Sequence, residues 1–246
     1  MKHMSKSGNL HYLIIVLIFT NCEGRINFRI TGNILPIECN NMPLPSNITI
    51  RAHSLEASKN YHEMLGLFRN DQINSEDIVF LGNSLVFNGG DWARRLNCNC
   101  HIKNRGIPGD VTEGILNRLG EIVCNKPKSV FLEIGLNDIY YPWLTPQLIA
   151  SNIGTIVYTI HQYSPVTEIY IQTILPTSSE KLNVKIRRTN DVLVNKLDNK
   201  LFHIIDLHPL FSDDLDLIKK ELTTDGTHLT EEGYQVWVME LKKHLH

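Results

Sequence analysis

Ile78-Val79-Phe80-Leu81-Gly82-Asn83-Ser84-Leu85 decides the fold. A short apolar run ended by glycine reads as a strand buried on both faces, the kind found in a parallel sheet covered by helices. The turn that leaves it carries a serine at the carboxyl edge of the sheet, where doubly wound folds bind their ligands.

Working outward, Leu55, Tyr61, Met64, Leu65 and Phe68 recur at helical spacing and predict a helix over 55–68. Downstream the pattern alternates. A weaker strand at 101–104 leads to a helix at 111–124. A strong strand at 129–134 follows, then a helix at 146–163. Next come a strand at 168–174, a helix at 184–200 and a strand at 202–207. Thr230 opens the last helix, with Glu231 and Glu232 in its first turn, where negative charge suits the macrodipole. Strands alternating with long helices imply βαβ units. The expected fold is therefore α/β, a three-layer α/β/α sandwich on a five-stranded parallel sheet, with 51–246 as one domain. No internal repeat or low-complexity segment interrupts it.

The 246 residues are 42% hydrophobic and 20% charged, enough apolar material for a sizeable core. A net charge of -2 lacks the basic excess of a nucleic-acid binder. Lys2 and Lys6 precede an apolar stretch at 10–19, and the first acidic residue is Glu23. This is the pattern of a secretory signal over 1–24, with cleavage before Arg25. A buried strand or helix is the competing reading. The stretch is shorter than the ~20 residues a membrane span needs. Phe19-Thr20-Asn21-Cys22 weakly resembles a bacterial lipoprotein box, which leaves lipid attachment at Cys22 open. Residues 25–50, with Pro36, Pro43 and Pro45, read as an irregular arm over the domain. Removing the leader leaves Cys39, Cys98, Cys100 and Cys124. Cys98 and Cys100 are poor partners for each other, because a one-residue loop strains a disulfide. A bridge from one of them to Cys124 and four buried thiols remain as alternatives. No cysteine pair has zinc spacing, so neither metal nor cofactor is expected.

Four segments lie where chemistry is expected, after strands or just before the final helix. They are Gly82-Asn83-Ser84-Leu85, Asn104-Arg105-Gly106-Ile107-Pro108-Gly109-Asp110, Gly135-Leu136-Asn137-Asp138 and Asp225-Gly226-Thr227-His228. Each alone is weak, but the four in this order resemble the GDSL family of esterases and lipases, within the SGNH hydrolase superfamily. The naming letters match Ser84, Gly106, Asn137 and His228, and the resemblance runs from about Asp77 to Leu245. It implies a flavodoxin-like hydrolase fold and a serine mechanism without cofactor. Ser84 would attack, His228 would take its proton, and Asp225 would orient the imidazole and stabilise its cation. The implied oxyanion donors are the N–H groups of Ser84 and Gly106 and the side-chain amide of Asn137. The family's usual aspartate before the serine is Asn83 here. Both the G-x-S-x-G elbow and a phosphate-binding loop are absent, which removes two competing readings.

Plainer readings stand beside these. Ser84 alone would be a helix N-cap, Asn137 a turn cap, and Asp138 a residue that orients its loop. His208, two residues after Asp206, is the rival base. His53, His62, His161 and His203 read as surface or half-buried residues. Glu133 is unusual in an apolar strand, with Arg105 as one conceivable partner.

Aromatic residues near the site suit a sugar ring or an acyl chain, and the candidate substrate contacts are Asn83, Trp92 and Trp143. The stretch from Phe80 to Asn137 is most similar to the platelet-activating-factor acetylhydrolase-like branch, which includes exported bacterial sialate and other carbohydrate O-acetylesterases. The expected substrate is thus a small-molecule or glycan acetyl ester. A lysophospholipase or thioesterase of the same family is the alternative. A non-catalytic glycan-binding protein on the same fold is the alternative of another class.

Overall fold

The computed structural model describes residues 48–195, 197 and 200–245, Cys39, and the backbone of 16–20 and 26–30. β1 (Val16–Thr20) and β2 (Ile26–Ile30) pair antiparallel as a separate ribbon. Residues 25–50 are thus not wholly irregular, and the alternation of apolar and polar residues in Ile26-Asn27-Phe28-Arg29-Ile30 suits a strand. The rest of the leader-like stretch, Cys22 and the three prolines of the arm lie outside the described residues.

The domain follows the alternating pattern closely. Helix α1 (Leu55–Phe68) precedes β3 (Ile78–Gly82), the short helices α2 (Ser84–Asn88) and α3 (Trp92–Leu96), and β4 (Ile102–Gly106). Then come α4 (Thr112–Asn117), α5 (Gly120–Asn125), β5 (Ser129–Glu133), α6 (Leu136–Ile139), α7 (Pro146–Tyr163) and β6 (Glu168–Gln172). α8 (Glu180–Asn195), β7 (His203–Ile205), α9 (His208–Phe211) and α10 (Glu231–Leu241) complete it. The five domain strands are all parallel, in the order β4-β3-β5-β6-β7. The chain steps one way from β3 to β4, then returns past β3 to β5. The carboxyl ends of β3 and β5 therefore flank the switch point, where open α/β sheets place their ligands.

In-register residues on one face form an aromatic row. Phe80 stacks on Phe131 with ring centroids 5.1 Å apart, and Phe131 on Tyr170 at 4.5 Å. α3 and α10 pack together over this row, where Trp92 stacks on Phe80 at 4.6 Å and meets Trp237 edge-on at 5.1 Å. α4, α5, α7 and α8 pack together on the opposite side, with Ile149, Ile153, Ile156 and Ile160 of α7 in the core.

Two local expectations change. The single helix expected over 111–124 is split at Arg118, whose side chain turns inward to donate to Asp110 Oδ2 and the Gly82 carbonyl. Those tertiary bonds take precedence over helical continuity. Cys98 is joined to Cys100, and Cys39 to Cys124. Asn97 turns left-handed at φ 50° at the end of α3, and the Cys98 and Cys100 Cα atoms come within 5.3 Å, a span a disulfide accepts.

Candidate active site

Ser84 is the first residue of α2, immediately past β3, and half-buried. Asn83 caps this helix, its Oδ1 accepting the Leu85 N–H at 2.8 Å. The rest of the short helix is held by side chains from elsewhere. Tyr234 donates to the Leu85 carbonyl at 2.8 Å, and Trp92 Nε1 to the Val86 carbonyl at 3.1 Å. Asn104 Nδ2 bonds the carbonyls of Val86, Phe87 and Gly90. A five-residue helix could not persist alone. Here the surrounding domain holds it and gives Ser84 a fixed origin.

His228 arrives from the loop before α10. Its backbone carbonyl accepts the Thr224 N–H at 2.9 Å and the Thr223 hydroxyl at 2.8 Å. Its Nε2 lies 3.2 Å from Ser84 Oγ, and its Nδ1 lies 2.7 Å from Asp225 Oδ2. The other oxygen of Asp225 accepts the N–H groups of Thr227 and His228 at 2.9 and 2.8 Å. The bond to His228 holds the Asp225 carboxyl below the usual carboxylate range. Residues 144 positions apart in sequence thus form one continuous row of hydroxyl, imidazole and carboxylate. Such a row can move a proton from the hydroxyl as it attacks an electrophile.

Asn137, in the first turn of α6, donates one Nδ2 proton to the Asp110 carbonyl at 2.8 Å, which leaves its second proton available. Asp138 behind it accepts the Thr112 N–H at 3.0 Å and its hydroxyl at 2.5 Å, joining α6 to α4. Burial raises the Asp138 carboxyl to about 7, and the Thr112 bonds oppose that rise. Asp138 orients its loop, as expected from the sequence.

Gly106 requires a correction. Its N–H donates to Asn104 Oδ1 at 2.9 Å and is therefore engaged within the protein. Its lack of a side chain serves packing, because a Cβ there would fall 2.2 Å from the Phe87 backbone nitrogen of α2. Gly109 is the better placed glycine. It sits in the turn closed by the Asp110 N–H and the Ile107 carbonyl at 3.1 Å, at φ +82°, beside the Asp110 carbonyl that holds Asn137. In Gly106-Ile107-Pro108-Gly109 the two glycines look alike in sequence. Only the turn separates a buried strand glycine from a half-buried one.

Two of the three candidate substrate contacts move into the interior. Trp92 is 1% exposed and belongs to the aromatic core. Asn83 is 1% exposed and spends its oxygen on the helix cap. Trp143 remains at the surface, 46% exposed, with Arg51 over its ring at 5.3 Å. Trp92→Ala is expected to destabilise the fold by about 3–5 kcal/mol without raising KM. Trp143→Ala is expected to leave stability within about 0.5 kcal/mol and to raise KM. Thermal unfolding and steady-state kinetics on both variants check the pair.

Glu133 does not meet Arg105, whose guanidinium pairs with Glu121 at 2.7 Å and Asp71 at 3.0 Å. His208 has its own partners, Asp216 Oδ1 at 2.9 Å and the Ile174 carbonyl at 2.9 Å, and it pins the segment after β6. Among the described residues no group of three or more His, Cys, Asp or Glu side chains is placed to hold a metal ion.

A parallel sheet with Ser, His and Asp hydrogen-bonded in series at its switch point defines a hydrolase-type α/β domain. The chain belongs to the GDSL-like lipase/acylhydrolase family, whose model matches residues 80–236. Its fold is shared with solved structures. A Streptococcus pneumonia protein provisionally described as a platelet activating factor is 26% identical, with TM-score 0.64 over 78% of this chain and 93% of that one. The lipase/acylhydrolase from Enterococcus faecalis is 20% identical, with TM-score 0.57 over 69% and 94%. A carbohydrate esterase family 3 protein from Talaromyces cellulolyticus is 16% identical, with TM-score 0.51 over 68% and 95%. No curated protein matches the chain in sequence.

Proposed function

We propose that the protein is a serine carboxylic ester hydrolase that removes O-acetyl groups from a carbohydrate, sialate among the candidates. The observation that carries the reading is the row Ser84 Oγ, His228, Asp225, with spacings of 3.2 and 2.7 Å. Ser84 attacks the ester carbonyl while His228 Nε2 takes its proton. Asp225 holds the Nδ1 proton and stabilises the imidazolium. The tetrahedral oxyanion is received by the Ser84 N–H, unpaired by position as the first of a helix, by the Gly109 N–H, and by the second amide proton of Asn137. His228 then returns the proton to the leaving alcohol, and water repeats the cycle on the acyl-enzyme. Asn137→Ala is expected to lower kcat by about 100- to 1,000-fold, read in steady-state hydrolysis of p-nitrophenyl acetate.

The carbohydrate preference rests on the loop after α6. Tyr140 and Trp143 are exposed on it while Tyr141 and Leu144 pack against a small cluster of Ile50, Ala52 and Val111. Lys185 further braces it through the carbonyls of Ile139 and Tyr141 at 2.9 and 2.8 Å. A braced loop with outward aromatic rings offers flat faces for a sugar beside Asn137. Acetate release from O-acetylated sialic acid should exceed fatty-acid release from lysophosphatidylcholine. Release from the lipid alone would replace this reading with a lysophospholipase, and sugar binding without turnover would replace it with a binding module.

We further propose export, on the basic-then-apolar leader and the Cys39–Cys124 bridge, which suits an oxidising compartment.

A further inference from the structure

Beneath the Ser84 turn lies a group of buried polar side chains that ester chemistry does not use. Glu133 ends β5 opposite Gly82 of β3, and its side chain is fully buried. Both of its carboxyl oxygens, the Asn83 amide nitrogen and the Gln172 amide nitrogen are buried without a hydrogen-bond partner among the described residues. The Asn83 amide faces the Glu133 carboxyl, and the sheet register carries Gln172 to the same face. Phe131 and Tyr170 stack across β5 and β6, and Glu133 and Gln172 stand two residues further along the same two strands, on the same face. Gln172 commits its oxygen to Trp237 Nε1 at 2.6 Å, and Asn83 commits its oxygen to the Leu85 N–H at 2.8 Å. Both therefore retain only donors for Glu133. The Asn83 amide approaches the carboxyl without closing a full hydrogen bond.

We propose that Glu133 is a positioning residue for Ser84, a buried carboxyl group that steadies the Asn83 amide and with it the peptide from which the nucleophile projects. The inference rests on the reading of Ser84 as nucleophile. Leu85, on one side of Ser84, is tied to this interior through the Tyr234 hydroxyl, and Asn83, on the other side, closes the local cap with its oxygen while its amide nitrogen faces Glu133. Burial pushes the Glu133 carboxyl up to about 8, with the Asn83 amide the one group favouring its anion. The titratable group facing it from α10 is Tyr234, itself raised by burial. Arg95 of α3 lies 4.5 Å over the Tyr234 ring and pairs with Glu231 at 2.7 Å. Among the described residues no Lys, Arg or His side chain pairs with Glu133 to hold it as an anion. The neutral acid keeps a carbonyl oxygen as acceptor for these amide donors, whereas the anion would bury a charge that no paired cation compensates.

Between the ordinary glutamate value of 4.5 and about 8, the folded chain binds a proton that the unfolded chain has lost. Stability therefore falls as pH rises through that window and levels off above it. The experiment compares Glu133→Gln, Glu133→Leu and wild type on p-nitrophenyl acetate from pH 5 to 10, with unfolding free energies over the same range. Glu133→Gln, which mimics the neutral acid, should keep kcat within about threefold of wild type at neutral pH. Wild type should lose kcat above about pH 8 in a step that Glu133→Gln lacks, and its stability slope should flatten in that variant. Glu133→Leu should lose about 100-fold in kcat with KM nearly unchanged, the scale of a nucleophile misplaced by an ångström. Wild-type kcat in Glu133→Leu, or alkaline limbs that coincide in wild type and Glu133→Gln, would overturn the proposal. If Glu133→Leu does not fold, the comparison of the other two proteins decides. A wild type that hydrolyses no ester would sink the esterase reading instead, and an unchanged stability slope in Glu133→Gln would then sink the buried pair on its own.

Discussion

Ser84→Ala is expected to lower kcat for ester hydrolysis by about a million-fold, and His228→Ala by a similar factor. The two side chains act as one device across the 3.2 Å contact between Oγ and Nε2. Without the hydroxyl there is nothing to deprotonate, and without the imidazole the hydroxyl stays un-ionised. The double variant should therefore be little worse than either single one, a non-additivity that unrelated residues would not show. Asp225→Asn should cost about 10,000-fold, because an amide nitrogen facing Nδ1 selects the wrong imidazole tautomer. All three variants should keep the fold, since Ser84 and His228 are only half-buried and Asp225 is exposed. Burst kinetics with p-nitrophenyl acetate, alongside circular dichroism, read both parts. An active Ser84→Ala would end the serine mechanism.

Asp110→Ala is expected to have the largest effect on stability. The Asp110 carboxylate is fully buried and accepts from Arg118 Nε and Nη2 at 3.1 and 3.0 Å, from its own turn at the Val111 N–H, and meets His53 Nε2 at 3.2 Å. Arg118 is 2% exposed and also braces the Gly82 carbonyl at 3.2 Å. Removing the carboxylate leaves a guanidinium in the interior with no counter-charge of its own, at a cost of about 3–5 kcal/mol. For a domain of this size the melting temperature should drop by roughly 10 °C. The double variant Asp110→Leu with Arg118→Met removes both charges and should recover much of that loss. Its kcat should nevertheless stay low, because the same residues brace the end of β3 and the turn that carries Gly109. Equal stability of Asp110→Ala and wild type in urea would contradict the buried pair.

Much of this was legible in the chain, and the reason is local. Ile78 to Leu81 has no polar residue to face solvent, so it could only be an inner strand. Pro146 with Thr145 before it marks a helix start, and the structure begins α7 there, with the Thr145 hydroxyl accepting the Leu148 N–H at 3.2 Å. Strand ends carry the site in this fold, so Ser84 and Asn137 announced themselves by following strands. The motif alone favours His228 over His208, and the structure gives each its own aspartate, Asp225 and Asp216.

The sequence by itself determined the alternation of strands and helices, the parallel sheet and the four loops that reach its carboxyl edge, because apolar periodicity and turn residues act over a few neighbours. Only the tertiary structure decided which side chains those loops turn inward. Trp92 became core, Gly106 a packing surface for α2, Arg118 the breaker of a helix, and Glu133 a buried acid. Each outcome depends on what lies across the fold at contact distance, and burial there costs a polar group its water unless a partner from a distant segment replaces it.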